Sequence, residues 1–182
     1  IITINRPEAR NAFNSETSEQ MKAAIDRFEE DPDLFIGIIT GAGGTFSAGA
    51  DLKEAAKGKR RSTERGGFGI FAKPPKKPII AAVEGYAVAG GMELCLACDL
   101  IVAAKDARMG LPEVRHNLVA VGGGLFRLPK RMPYHLVMEL ALTGDMLPAE
   151  FFHRHGVVNR LADSGKSLEV AIELAERLLE NG

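Results

Sequence analysis

The 182-residue chain has no tryptophan, two tyrosines and two cysteines, and aromatic residues make up only 6% of it. So little cysteine excludes a fold framed by disulfides, and stability has to come from a buried apolar core. A chain of this length buries roughly two-thirds of its unfolded surface, enough for one such core. Net charge is also scarce: −1 overall with a pI near 6.5, which gives no general attraction for nucleic acid or an acidic membrane surface. No apolar run reaches the ~20 residues that span a bilayer. The chain opens on Ile1-Ile2-Thr3-Ile4 without Met, a basic stretch or a cleavage motif, so no targeting segment is visible and the natural N-terminus is expected upstream. With 46% hydrophobic and 26% charged residues, the expectation is one globular domain, 1–182, in a reducing cytoplasm.

Cys95 and Cys98 form a C-x-x-C, a spacing used by redox and zinc sites. A structural zinc needs four ligands, and His116, His135, His153 and His155 do not complete such a set. The flanking Met92-Glu93-Leu94 and Leu96-Ala97 are mostly apolar, so both thiols are read as small core hydrophobes and no metal is expected.

Periodicity orders the rest of the chain. Ile1 to Asn5 reads as a strand end, followed by a Pro7-interrupted loop. Asn14 or Ser15 caps a helix with Met21, Ala24, Ile25 and Phe28 on one face, stopped by Asp31-Pro32. Leu34 to Thr40, Ile79 to Val83 and Leu100 to Ala104 are apolar runs too short for helices and are read as buried strands. Val157 to Asn159 is read as another strand. Helices are expected at His135 to Thr143, from Pro148 to Gly156, and at Ser167 to Glu180, where Leu168, Ala171, Ile172, Ala175, Leu178 and Leu179 recur at helical spacing. Alternating strands and helices predict an α/β fold with at least partly parallel pairing.

Several motifs fail. Gly165-Lys166-Ser167 imitates the end of a phosphate-binding loop, but the glycine required five places earlier is Arg160. The glycines at 41–44, 66–69 and 122–124 never spell G-x-G-x-x-G, and no G-x-S-x-G supplies a nucleophile elbow.

Two stretches of small residues remain, Ala48-Gly49-Ala50-Asp51 and Ala89-Gly90-Gly91. Backbone rather than side chains faces a ligand there, and the second opens a helix, whose first N–H groups lack partners. Glu93 lies one turn into that helix, and Glu113 follows Pro112 in a loop. Two N–H donors and two carboxylates suffice for chemistry at an activated carbonyl. Between Lys53 and Lys77, nine Lys/Arg face only Glu54 and Glu64, which predicts a solvated, mobile basic flap over about 54–77.

Ile4-Asn5-Arg6-Pro7, Phe46 to Lys53, Lys77 to Ala87, Gly90-Gly91-Met92-Glu93-Leu94 and Leu111-Pro112-Glu113 together resemble the enoyl-CoA hydratase/isomerase (crotonase) family, in order and over nearly the whole chain. The resemblance implies a crotonase fold of repeated ββα units with further helices beyond Gly182, an acyl-CoA thioester substrate and no cofactor beyond its coenzyme A. It assigns the oxyanion-hole N–H groups to Ala50 and Gly90, the catalytic carboxylates to Glu93 and Glu113, and the coenzyme A path to Ala48, Asp51, Leu52 and Lys53, with the basic flap toward the phosphates. It implies a homotrimer or a dimer of trimers, with no nucleic acid or membrane partner.

The activity it implies is hydration of 2-enoyl-CoA to 3-hydroxyacyl-CoA in fatty acid metabolism. A double-bond isomerase is the alternative within the fold. Leu118 to Gly124 with Arg127-Leu128-Pro129-Lys130 is similar to carnitinyl-CoA dehydratases. A non-catalytic acyl-CoA- or RNA-binding homologue is the alternative from another class, motivated by the basic stretch. The chain departs from the family at Ala89, where a third glycine is usual.

Overall fold

The computed structural model describes residues 1–56 and 62–181. Lys57, Lys59, Arg60 and Arg61 of the basic stretch lie outside the described residues. In chain order the strands are β1 (Ile2–Ile4), β2 (Gly37–Gly41), β3 (Ser62–Thr63), β4 (Gly66–Gly67), β5 (Ile79–Val83), β6 (Tyr86–Val88), β7 (Leu100–Ala104), β8 (Arg108–Gly110), β9 (Met146–Pro148) and β10 (Arg160–Ala162). The helices are α1 (Ser15–Glu30), α2 (Leu52–Ala56), α3 (Gly90–Ala97), α4 (Gly124–Arg127), α5 (Tyr134–Thr143), α6 (Ala149–Arg154) and α7 (Ser167–Leu179).

Strands β1-β2-β5-β7-β10 form one sheet in that order, every pair parallel. The apolar runs are continuous because both faces are covered. Ile39, Ile79, Ala81, Val83, Ile101 and Ala103 point into the larger core. Their alternates Ile38, Ile80, Ala82, Val102 and Ala162 meet Ala171, Leu174 and Ala175 of α7 on the other face. Asn14 caps α1 by accepting from Thr17 N at 2.8 Å, and α1 buries Met21, Ile25 and Phe28.

Two strands sit elsewhere than their sequence predicts. β2 starts at Gly37, because Leu34 and Phe35 are exposed and precede the pairing with β5. Val157 and Val158 are buried in the connection after α6, and β10 begins at Arg160. Their apolarity reflects core filling rather than strand pairing.

A second sheet, β6-β8-β9, positions the candidate site. β6 pairs with β8 in parallel, Val88 opposite Gly110, and Ala89 N donates to Gly110 O at 3.0 Å. Both strands therefore exit at the same end. The first leads into α3 and Glu93, the second into the 3₁₀ turn Pro112–His116 and Glu113.

Candidate active site

The two small-residue corners abut. Ser47 bridges Ala87 of β6 on one side, while Ala50 bridges Phe13 on the other. A parallel bridge at Ala50 uses its neighbours, Gly49 O accepting from Phe13 N and Asp51 N donating to Phe13 O, so the N–H of Ala50 itself points away from Phe13. Gly90 is the first residue of α3, where an N–H has no acceptor inside the helix. Among the described residues no backbone carbonyl outside the helices and strands accepts from either N–H. A Cβ on Gly91 would collide with Ser47 O, so the helix is seated directly on the segment that carries Ala50. Ala89 makes the turn with φ 52° and ψ −127°, in a region that costs a non-glycine residue about 1–3 kcal/mol.

Glu93 is 4% exposed. Its Oε1 accepts from Gly124 N at 2.9 Å, and the N–H groups of Gly122 and Gly123 also face the carboxylate. The three glycines, which fit no phosphate-loop motif, make an anion-holding backbone nest for this side chain. Burial still dominates and moves its pKa upward, opposed by the nest and by the positive charge of Arg127.

Glu113 has a different environment. Its Oε2 is buried without a hydrogen-bond partner. Desolvation, with repulsion from Glu93, pushes its pKa up to about 7. Three backbone N–H groups face the Glu93 carboxylate and only its own N–H bears on that of Glu113, which separates their proton affinities.

Three aromatic rings wall this region, and sequence reading missed them. Phe68 stacks on Phe13 with centroids 4.2 Å apart and on Phe71 at 4.8 Å. A Cβ on Gly90 would stand 2.6 Å from Phe68 Cζ, and one on Gly122 would collide with the Phe71 ring while standing 2.6 Å from Glu93 Oε2. Residues 68–71 thus form a strap over Gly90 and beside Glu93. Arg65 anchors it to α1 through Asp26 and Glu29, and Arg127 Nη2 donates to Phe71 O at 2.7 Å. Periodicity gave no signal for these residues, since the strap is a turn.

The remaining sequence-predicted residues lie in the segment after Ser47 and at the start of α2. Ala48 N donates to Arg10 O at 3.0 Å, and Leu52 and Lys53 are exposed on the first turn of α2. The Asp51 carboxylate is paired with Arg6 at 3.2 Å and accepts from Glu54 N at 3.3 Å. It caps α2, a structural duty that draws Arg6-Pro7 to the corner. Two cations of the basic stretch are likewise used internally: Arg65 as above, and Lys77, which donates to Phe28 O at 2.9 Å and to Asp31 O. Asn11, fully buried with φ 56°, donates to Ala42 O and Thr45 O at 2.8 and 2.7 Å and so shapes the same corner.

Cys95 and Cys98 are free and buried. No group of three or more His, Cys, Asp or Glu able to hold a metal occurs among the described residues, and no described helix is long and apolar enough to cross a membrane.

A match to the family described as enoyl-CoA hydratase/isomerase spans residues 1–182. The chain belongs to that family. Its relatives include the carnitinyl-CoA dehydratase of Salmonella heidelberg (strain SL476), 44% identical over 185 residues that cover 99% of this chain and 70% of that protein. Among solved structures, the enoyl-CoA hydratase EchA1 from Mycobacterium marinum is 56% identical with a TM-score of 0.97, covering 99% of this chain and 71% of that one. A carnitinyl-CoA hydratase from Mycobacterium avium is 41% identical with a TM-score of 0.94 over the same shares. The fold is thus the crotonase fold that the resemblance implied.

Proposed function

We propose that this family member hydrates 2-enoyl-CoA thioesters to 3-hydroxyacyl-CoA. The observation that carries the reading is the pair of carboxylates brought together by the β6–β8 register, one held in a glycine nest and the other with its Oε2 buried and unpartnered. The thioester oxygen sits between the N–H groups of Ala50 and Gly90, which hold the enolate-like charge as it develops. Glu93, ionised, takes a proton from water as its oxygen bonds to the β-carbon. Glu113, whose raised pKa of about 7 keeps a substantial fraction protonated near neutral pH, delivers a proton to the α-carbon. The two carboxyls end the turnover with their protons exchanged, and proton transfer between them or with solvent resets the site.

The reaction requires no cofactor beyond the coenzyme A of its substrate. Ala48, Asp51, Leu52 and Lys53 border its path, and Asp51 also fixes α2. The assembly is proposed to be a homotrimer or dimer of trimers in the cytoplasm, to be checked by light scattering on a sizing column.

The test is loss of conjugated-thioester absorbance from crotonyl-CoA. Glu113→Gln is expected to abolish turnover and spare affinity for coenzyme A; unchanged turnover removes the assignment, and isomerisation of 3-enoyl-CoA in place of hydration favours the isomerase. A second reading, dehydration of carnitinyl-CoA, is favoured by the relatives so named at 43–44% identity. It uses the same two carboxylates in reverse, and comparing kcat/KM on the two substrates separates the readings.

A further inference from the structure

We propose that Arg127 is the positioning residue for Glu93, locking the glycine nest that holds the carboxylate to the aromatic strap beside it. The inference rests on the reading of Glu93 as the base. Arg127 Nη1 donates to Gly122 O at 2.9 Å, and Nη2 donates to Phe71 O at 2.7 Å. The planar guanidinium fixes the direction of both bonds at once, which an ammonium group does not.

The Gly122 carbonyl belongs to the same rigid peptide plane as the Gly123 N–H, and in a trans peptide the two point in opposite directions. Holding Gly122 O against Arg127 therefore aims Gly123 N–H the other way, and that N–H faces Glu93. Gly123 has φ +107°, and a Cβ there would collide with Arg127 Nη1. The left-handed glycine thus makes room for the guanidinium that orients it. The second bond fixes Phe71, whose ring shares the face of Gly122 with Glu93 Oε2.

Two charged groups bear on Glu93 from the elements around it: Arg127 from α4 and Glu113 from the Pro112–His116 turn. The strap contributes the apolar Phe71. Arg131, further along the chain, is turned to the other end of α3, donating to Leu96 O and Cys98 O at 3.1 and 2.7 Å. Arg127 and the nest favour the ionised carboxylate, while burial favours the neutral one. Loss of Arg127 removes its charge and frees one N–H of the nest, so the Glu93 proton is held more tightly.

The experiment compares the intact protein with Arg127→Ala and Arg127→Lys on crotonyl-CoA across pH. Arg127→Ala is expected to lower kcat roughly 10–100-fold, the scale of losing an orienting partner. KM should change little, because both side-chain bonds run to carbonyls of the chain itself. The acid limb of the pH profile should move to higher pH, and added guanidinium should restore part of kcat. Arg127→Lys keeps the charge but not the fork and should fall between. If Arg127→Ala does not fold, as judged by circular dichroism, Arg127→Lys decides by the same kcat loss and limb shift. Superimposable pH profiles with kcat within twofold overturn the positioning role and leave the hydratase reading intact. No turnover by the unsubstituted protein overturns both.

Discussion

Gly49 and Gly90 lie back to back: a Cβ on Gly49 would stand 2.9 Å from Gly90 N, and one on Gly90 would stand 3.5 Å from Gly49 Cα. The two corners that carry the proposed N–H donors thus share a single wall. Gly49 also has φ +92°, so alanine there is strained as well as crowded against backbone. Gly49→Ala is expected to spread the two N–H groups and lower kcat roughly 10²–10³-fold, the effect of losing one such donor. Gly90→Ala meets chiefly the Phe68 ring, a side chain that can turn aside, and should be milder. Steady-state kinetics on crotonyl-CoA orders the two, and the reverse order would show that the aromatic stack is the less yielding wall.

The pH dependence follows from the carboxylates. In the proposed mechanism, turnover in the hydration direction needs Glu93 ionised and Glu113 protonated. The rate should rise through a Glu93 pKa above the ordinary carboxylate value of 4.5 and fall as Glu113 ionises near 7. Because the groups interact, the two limbs belong to the pair. Stability carries the same sign. Glu113 is raised in the folded state, so its neutral form is compatible with folding below pH 4.5, and that stability is lost as pH climbs through about 7. Glu113→Gln should be catalytically dead yet lose less stability between pH 5 and 8, which thermal melts across that interval measure. A parallel loss in both proteins would sink the account of its burial.

Glu84 provides a test away from the chemistry. Its two carboxylate oxygens accept from Gly165 N at 3.0 Å and Ser167 N at 2.8 Å, filling the anion position at the start of α7. This is why Gly165-Lys166-Ser167 is not a phosphate loop here. Glu84→Ala should cost about 1.5–3 kcal/mol, the range for hydrogen bonds to charged groups, in urea unfolding. Glu84→Gln should recover part of that loss.

The thiols supply a fourth. Burial pushes Cys98 up to about 12 and Cys95 well above its usual value, leaving almost no thiolate at pH 8. Iodoacetamide should label neither in the folded protein and both after unfolding. Labelling of native Cys95 or Cys98 at the rate of a free thiol would contradict their place in the core.

Sequence periodicity captures elements whose pattern is set by burial alone: α1, α5, α7 and the strands Ile79–Val83 and Leu100–Ala104. It misplaces β10, since Val157-Val158 is apolar for packing rather than pairing, and starts β2 early at the exposed Leu34 and Phe35. Glu93, Glu113 and the two glycine corners stand out as chemistry in apolar settings. The partners that define their environments do not. The nest at Gly122 to Gly124 reaches Glu93 across 31 residues, and Arg127, Phe68 and Phe71 act through tertiary contacts that no local pattern encodes. The Arg6–Asp51 pair is likewise a long-range contact: the carboxylate assigned to the substrate path also pairs with Arg6 and caps α2.

The parallel β6–β8 pairing implies an unusual intolerance of insertion and deletion. Val88 opposite Gly110 sets the starting point from which Glu93 and Glu113 are counted, five and three residues onward. Removing one residue from either strand would turn its side chains to the opposite face and rotate one carboxylate out of the shared space. Length drift in this protein should therefore be confined to segments such as the exposed turn at Lys105 and Asp106 on the far side of that pairing, where the count to the two carboxylates is left untouched.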